Sequence, residues 1–171
     1  MIIDSHVHLF FEGSDPESFF IGSARAGVAF FNKKTGGVGA DVSEMYAANL
    51  ELLSDRNGDK LVADMDEAGI DKAIVLPLDF WLGCPKSEGI SIEEKNAVYA
   101  EAVRTHKGRL LTHVGVDPRR KNALEIMQKG VEEHGAIGLK LHPTAGFYPD
   151  DPVCTPLYKK ALEYNIPVLI H

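Results

Sequence analysis

The sequence predicts an α/β fold, namely the first part of a (β/α)8 barrel of the TIM type. Beyond residue 58, helical and strand patterns alternate regularly, and strands separated by helices pair in parallel through right-handed crossovers. His-x-His stands at the end of the first strand, and the Gly-rich phosphate turn that an open nucleotide-binding sheet carries after that strand is absent. Because the 171 residues fall short of the ~250 usual for a closed barrel, we expect one domain, 1–171, that supplies roughly the first five strands.

Five segments have the composition and length of buried parallel strands. The clearest is the β-branched run around Ile74 and Val75, which comes after the helix stop at Gly69. The third strand is closed by Asp117-Pro118, since the residue before a proline favours an extended or turn conformation. The five predicted strands are 1–9, 72–78, 110–116, 137–142 and 166–171.

Four helices are predicted between these strands. Ser91 and Glu94 have the spacing of a capping box, while Thr155 suits an N-cap and the proline after it suits the first helical position. Helical periodicity places Leu124 on the buried face of the third helix and Leu162 on that of the fourth. The predicted helices are 60–68, 91 to about 106, 122 to about 134, and 155 to about 164.

The first connection, 10–58, is far longer than the few residues typical of a βα loop. It contains a Gly-rich stretch at 36–39 and a predicted helix at 43–54. Loops after strands build the active-site face of an α/β barrel, so this insertion is a candidate lid or substrate wall. An equally weighted alternative is that its aromatic rings pack a satellite core. The rings are those of Phe10, Phe11, Phe19, Phe20, Phe30 and Phe31.

Composition and charge are those of an ordinary globular protein, with 44% hydrophobic and 25% charged residues. The net charge of −7 and the dispersed Lys and Arg offer no basic face, so we expect neither nucleic acid nor a membrane as partner. Cys84 and Cys154 form no Cys-x-x-Cys pair, and the N-terminus has no secretory or membrane-spanning pattern. We expect a cytoplasmic protein that acts on a small molecule, and homo-oligomer formation stays open.

Two histidines stand at the end of the first predicted strand. The period-two alternation of a strand points His6 and His8 to the same face, where their ring nitrogens can meet one cation at ~2.0 to 2.1 Å. Asp4 shares that face and could support the site. His171 independently ends the fifth predicted strand, and the carboxyl ends of barrel strands converge. We therefore predict His6, His8 and His171 as metal ligands.

Five short motifs stand at intervals along the chain: Asp4-x-His6-x-His8, Gly115-Val116-Asp117-Pro118, Gly138-Leu139-Lys140-Leu141-His142-Pro143, Tyr148-Pro149-Asp150-Asp151 and Ile166-Pro167-Val168-Leu169-Ile170-His171. Together they resemble the amidohydrolase superfamily. The branch they are most similar to is amidohydrolase-2, which includes aminocarboxymuconate-semialdehyde decarboxylase and related hydrolases and decarboxylases. The resemblance covers nearly the whole chain outside the insertion.

The resemblance implies a (β/α)8 barrel that holds a divalent metal, with Zn²⁺ as the expected ion and Mn²⁺ as an alternative. It assigns three ligands to His6, His8 and His171. A later His after the sixth strand and an Asp after the eighth, which complete the family's site, have no counterpart in these 171 residues. We therefore expect the natural protein to continue past His171 for roughly 100 residues.

The implied activity is metal-assisted hydrolysis of an amide, ester or lactone bond. Decarboxylation of a small carboxylic acid is the alternative, and a catalytically inactive metal-binding scaffold is a third reading for a complete chain. Lys140 and His142 alternate onto one strand face and are the weaker catalytic candidates. Lys140 is expected to be an ordinary amine, and His142 is balanced between supporting the site and packing a loop. Asp79 and Trp81 follow the second strand and are candidates for lining the substrate pocket.

Overall fold

Six strands form two three-stranded parallel sheets in the part of the chain that this computed structural model describes, residues 1–36, 39, 41–80, 82 and 89–171. Neighbouring strands pair in the orders β1-β2-β3 and β4-β5-β6, and every pair is parallel. This confirms the predicted parallel arrangement. The strands are β1 (Ile3–Val7), β2 (Lys72–Val75), β3 (Leu110–Thr112), β4 (Val114–Gly115), β5 (Leu139–Leu141) and β6 (Val168–Ile170).

The third predicted strand is divided at His113 into β3 and β4. Its first half pairs with β2 and its second half with β5, so this one segment joins the two groups of strands. The His113 ring lies over Gly138, where an added Cβ would come within 2.5 Å of its Nε2 atom. A glycine is therefore required at 138, because any side chain would collide with the imidazole.

Six helices accompany the strands in the described ranges. The capping box is present, with Ser91 and Glu94 bonded reciprocally. The predicted N-cap at Thr155 is wrong by one residue: a 3-10 turn, Pro152–Cys154, runs directly into the last helix, and Cys154 becomes the N-cap. The helices are α1 (Glu17–Thr35), α2 (Val42–Leu53), α3 (Asp59–Ala68), α4 (Ile92–Thr105), α5 (Ala123–Glu132) and α6 (Thr155–Tyr164).

Two apolar residues predicted to be buried are exposed instead. Leu162 is 80% exposed and Leu124 is 38% exposed. On α6 the sheet-facing stripe is formed by Leu157 and Ala161, and the residue after Ala161 is rotated by about 100° around the helix axis. On α5 the buried stripe includes Met127, which is fully buried, and Leu124 lies outside it.

The insertion 10–58 contains two helices, α1 and α2, that pack against each other. Only the second was predicted from the sequence. Phe11 and Phe20 are 3% and 4% exposed, so they belong to a core. Phe30 and Phe31 are 67% and 46% exposed on α1. Phe11 joins the core beneath the first strands, and Phe20 packs with Phe10 and Phe19. Gly37 and Val38 of the Gly-rich stretch lie outside the described residues.

Two apolar clusters lie between the strands and the helices. One involves β4, β5 and β6 with α5 and α6, and includes Leu139 and Leu141. The other involves β1, β2 and β3 with α3 and α4. Since side chains alternate along a strand, the residues between these core positions point to the opposite face of the sheet. That face carries the candidate site. None of the described helices combines the length and the apolar character needed to cross a membrane.

Candidate metal centre

The ends of β1 and β6 bring three imidazoles together. The Nε2 atoms of His6 and His8 are 3.2 Å apart. The ring centroid of His171 lies 5.0 Å from that of His6 and 5.4 Å from that of His8. One ring nitrogen from each residue can be chosen so that all three lie within 4.8 Å of one another. The three residues predicted as ligands therefore form one cluster.

The cluster has the dimensions of a cation site. Two ligands at ~2.1 Å from a tetrahedral ion are about 3.4 Å apart, and two on opposite sides of an ion are about 4.2 Å apart. The 3.2 Å between the Nε2 atoms of His6 and His8 is just below the tetrahedral value, and the 4.8 Å that bounds all three ring nitrogens is somewhat above the upper one. The donor set, three imidazoles from strand ends, suits Zn²⁺.

Hydrogen bonds hold all three histidines, one through the ring of His8 and two through the backbone of His6 and His171. The Nδ1 atom of His8 lies 2.7 Å from the carbonyl oxygen of Leu76, and a bond to a carbonyl places the proton on Nδ1 and leaves Nε2 free for a cation. Asp4 accepts a hydrogen bond from the backbone N–H of His6 at 3.1 Å. The backbone N–H of His171 donates to the carbonyl of Leu141 at 3.1 Å. Sequence patterns do not reveal the Leu76 contact, because it joins residues 68 positions apart.

The electrostatic environment keeps these imidazoles neutral. Burial is the largest cause of the lowered pKa of His8, which falls to about 4, and the nearby His6, His171 and Lys140 lower it further against the effect of the Leu76 carbonyl. The pKa values of His6 and His171 are also lowered, first by burial and then by the charge of Lys140. Neutral imidazoles offer their lone pairs, which a metal requires.

Lys140 and His142 are buried beside the cluster, at 1% and 6% exposure. Among the described residues the Lys140 Nζ atom has no hydrogen-bond partner, and burial lowers its pKa to about 8. The His142 ring lies 4.6 Å from that of His171, its Nε2 atom is hydrogen-bonded to the Thr144 hydroxyl, and burial lowers its pKa to about 4. Barrel interiors are usually filled by branched apolar side chains, so this buried polar layer indicates a functional centre.

A row of aromatic rings extends from the cluster into the insertion. The Phe80 ring is 4.4 Å from that of His142, and Phe19 is 5.2 Å from Phe80. Phe10 stacks on Phe19 at 5.7 Å and lies 5.9 Å from the His8 ring. Phe10 and Phe80 thus contact histidine rings, Phe19 packs on both of them, and Phe20 contacts Phe10 and Phe19. We call Phe10, Phe19 and Phe80 the aromatic wall.

Asp79, a predicted substrate-binding residue, is 2% exposed and already paired. Its carboxylate accepts two hydrogen bonds from Arg120, at 2.6 and 2.8 Å, and one from the backbone N–H of Asp117 at 2.8 Å. These contacts hold the loops after β2 and β4 together, and they argue against direct binding of a substrate by this carboxylate. The other predicted pocket residue, Trp81, lies outside the described residues.

Parallel strands whose carboxyl ends converge on a histidine cluster give the arrangement of an α/β barrel with a candidate metal centre. A family described as "Amidohydrolase" matches residues 3–171 of the chain. The chain therefore belongs to the amidohydrolase family, and the predicted resemblance is confirmed. No curated protein sequence matches it.

Solved structures with a similar fold are enzymes. A 5-carboxyvanillate decarboxylase from Novosphingobium aromaticivorans, with bound manganese and 3-methoxy-4-hydroxy-5-nitrobenzoic acid, has 24% identity and a TM-score of 0.69 over 100% of this chain and 50% of that one. A 4-oxalomesaconate hydratase from Rhodopseudomonas palustris has 22% identity and a TM-score of 0.59, covering 100% and 52%. A 2,6-dihydroxybenzoate decarboxylase from Rhizobium has 18% identity and a TM-score of 0.61, covering 99% and 48%.

These likenesses establish the fold. The six strands are part of a TIM-type (β/α)8 barrel, as predicted. The chain spans about half the length of the solved structures that it matches, 50% in the first and 52% in the hydratase.

Proposed function

We propose that the intact protein is a metal-dependent decarboxylase of a small aromatic carboxylic acid. The observation that carries the proposal is the position of the aromatic wall directly beside the cluster of His6, His8 and His171. A flat carboxylate-bearing ring could be held between the two. Two of the similar structures described above are decarboxylases of aromatic acids. Decarboxylation thus takes the place of hydrolysis, which the sequence favoured.

The proposed metal is divalent and held by His6, His8 and His171. Zinc was the ion expected from the sequence, whereas manganese is the metal in the 5-carboxyvanillate decarboxylase structures. Imidazole ligands favour Zn²⁺ and oxygen ligands favour Mn²⁺, so both ions belong in the test. When bound, the ion would polarise a substrate oxygen and orient the carboxylate.

The other residues would prepare the site for an anion. The described inward-facing groups include a buried lysine, Lys140, whose unpaired ammonium favours a negatively charged ligand. Phe19 and Phe80 would exclude water and contact the face of a substrate ring by offset or edge-to-face packing. The substrate carboxylate would thereby be directed at the histidine cluster.

Loss of CO2 leaves an electron pair on the ring carbon, which must receive one proton. His142 contacts both His171 and Phe80, so it lies between the cluster and the aromatic wall. We assign it the delivery of this proton. Its pKa of about 4 would rise beside a bound carboxylate, because a negative charge stabilises the imidazolium form. Lys140 is assigned a supporting electrostatic role.

The test is an activity screen of the intact protein with Mn²⁺, with Zn²⁺ and after chelation. One panel contains hydroxylated benzoates, including 2,6-dihydroxybenzoate and 5-carboxyvanillate, and is followed by ultraviolet absorbance and CO2 release. The other contains lactones, esters and amides. We expect CO2 release that requires metal and is lost in His8→Ala. Turnover of the second panel alone would support the hydrolase function instead. Metal binding without any turnover would support an inactive scaffold.

A further inference from the structure

Helix α4 buries three polar side chains on the face that meets the strands. Tyr99 and Lys95 are each 1% exposed, and Asn96 is 5% exposed. Buried polar groups are costly unless they are hydrogen-bonded. Each of these three is bonded, and each contacts a residue at or beyond the carboxyl end of a strand.

Tyr99 holds the residue that follows His8. Its hydroxyl accepts a hydrogen bond from the N–H of Leu9 at 3.0 Å and donates one to the carbonyl of the same residue at 2.7 Å. Strand β1 ends at Val7, so the Leu9 backbone lies beyond the strand. One side-chain oxygen therefore satisfies both backbone groups of Leu9, which is itself 1% exposed.

Lys95 binds two segments, the start of the insertion at Asp15 and the loop after β2 at Leu78. Its Nζ atom lies 2.6 Å from the carboxylate of Asp15, and it donates to the carbonyl of Leu78 at 3.1 Å. Both side chains of this ion pair are 1% exposed. Since breaking one partner of a buried pair leaves an uncompensated charge, the pair fastens the segment between His8 and α1 firmly to α4.

From these contacts we infer that Tyr99 is a positioning residue for the metal centre and acts through Leu9 on His8. His8 is then held from two sides, by the Leu76 carbonyl at its Nδ1 atom and by the anchored Leu9 backbone. The hydroxyl does not touch the cluster in the described structure; it sets where the Nε2 atom of His8 points. Groups that orient ligands typically contribute 10- to 100-fold to metal affinity. The inference rests on the metal centre proposed above.

The test is the Mn²⁺ affinity of the intact protein, read from the electron paramagnetic resonance signal of free Mn²⁺. Tyr99→Phe removes only the hydroxyl, and we expect its Kd for Mn²⁺ to rise by about 10-fold. The matched control is Tyr158→Phe, which loses a similar hydroxyl bond, to the Pro149 carbonyl at 2.6 Å, away from the cluster. Its Kd should equal that of the wild type.

Thermal unfolding of the metal-free proteins separates positioning from stability. A merely structural role would lower the melting temperature of Tyr99→Phe and leave its Kd unchanged, which would overturn the inference. If Tyr99→Phe is recovered unfolded, Asp15→Asn weakens the second anchor of the same turn and must raise the Kd; an unchanged value overturns the inference. A wild-type protein that binds no Mn²⁺ refutes the metal centre itself, whereas equal binding by wild type and Tyr99→Phe refutes only the positioning role.

Discussion

The side-chain amide of Asn96 forms two hydrogen bonds with the backbone of Gly115. Its Nδ2 atom donates to the Gly115 carbonyl and its Oδ1 atom accepts from the Gly115 N–H, both at 2.9 Å. Strand β2 has ended by this level, and the carbonyl oxygen of Pro77 lies 2.3 Å from where a Cβ on Gly115 would stand. The helix side chain therefore takes the place of a neighbouring strand, and no side chain fits at 115.

We predict that Asn96→Leu lowers the free energy of unfolding by about 2 to 4 kcal/mol, because it leaves two buried backbone groups of Gly115 without partners. Asn122→Ala is the control: it removes a single, partly buried hydrogen bond to Glu93, and a loss below ~1 kcal/mol is expected. Urea unfolding of the intact protein measures both. Equal losses in the two variants would contradict the role assigned to Asn96.

His113 should make stability depend on pH. It is 4% exposed, and burial, followed by the charge of Lys140, lowers its pKa from 6.5 to about 4. Between pH 6.5 and 4 the imidazole is protonated in the unfolded chain but neutral in the folded protein. The free energy of unfolding therefore falls as the pH drops from 6.5 to 4. At ~1.4 kcal/mol per pH unit the full effect is roughly 3 kcal/mol.

The measurement compares metal-free wild type with His113→Leu across this pH range. His8 and His142 also have lowered pKa values, and they remain in both proteins, so the difference in slope reports His113 alone. We expect a shallower slope in the variant by up to about one proton. Identical slopes would mean that His113 is protonated in the folded protein.

Removing a proposed ligand should remove the metal. We expect His6→Ala, His8→Ala and His171→Ala each to bind well below one equivalent, because two imidazoles hold a divalent ion far less tightly than three. His106→Ala is the control, since this residue pairs with Asp59 outside the cluster. Metal content is measured after dialysis. Full retention in His6→Ala or His8→Ala would reject the assignment.

Lys140 should be an ordinary amine rather than a carbamate that bridges two metals. Burial lowers its pKa to about 8, so most of it carries a proton at neutral pH, and a protonated amine does not react with CO2. We expect one metal per chain. A carbamate signal in carbon NMR under ¹³C-labelled CO2, together with two metals per chain, would overturn this prediction.

The 171-residue chain by itself should not behave as a stable monomer. In the described ranges β1 pairs only with β2, and β6 only with β5, so each has an outer edge with unpaired backbone groups. Ile3 and Ile170 are 43% and 45% exposed there. We expect aggregation, self-association or binding of a hydrophobic dye. Sedimentation as a monomer, together with one sharp, cooperative unfolding transition, would contradict this prediction.

The repeating units of the barrel could be predicted from the sequence because their signals are local. The capping box at Ser91 and the β-branched run around Ile74 depend on neighbouring residues, and the structure places both where expected. The pairing of His6 with His8 follows from strand alternation over two positions. His171 could be added because the carboxyl ends of barrel strands converge wherever they stand in the chain.

The tertiary structure decided what depends on distant contacts. Helix α1 has no clear local pattern, yet it packs on α2. The direction of His113 could not be predicted, because it depends on the space left by Gly138 on another strand. The pairing of Asp79 with Arg120 joins residues 41 positions apart, and that of Tyr99 with Leu9 joins residues 90 positions apart. Neither pairing follows a spacing rule. Such contacts arise only when the packed elements bring the chain together, so their residues become interpretable only in the folded protein.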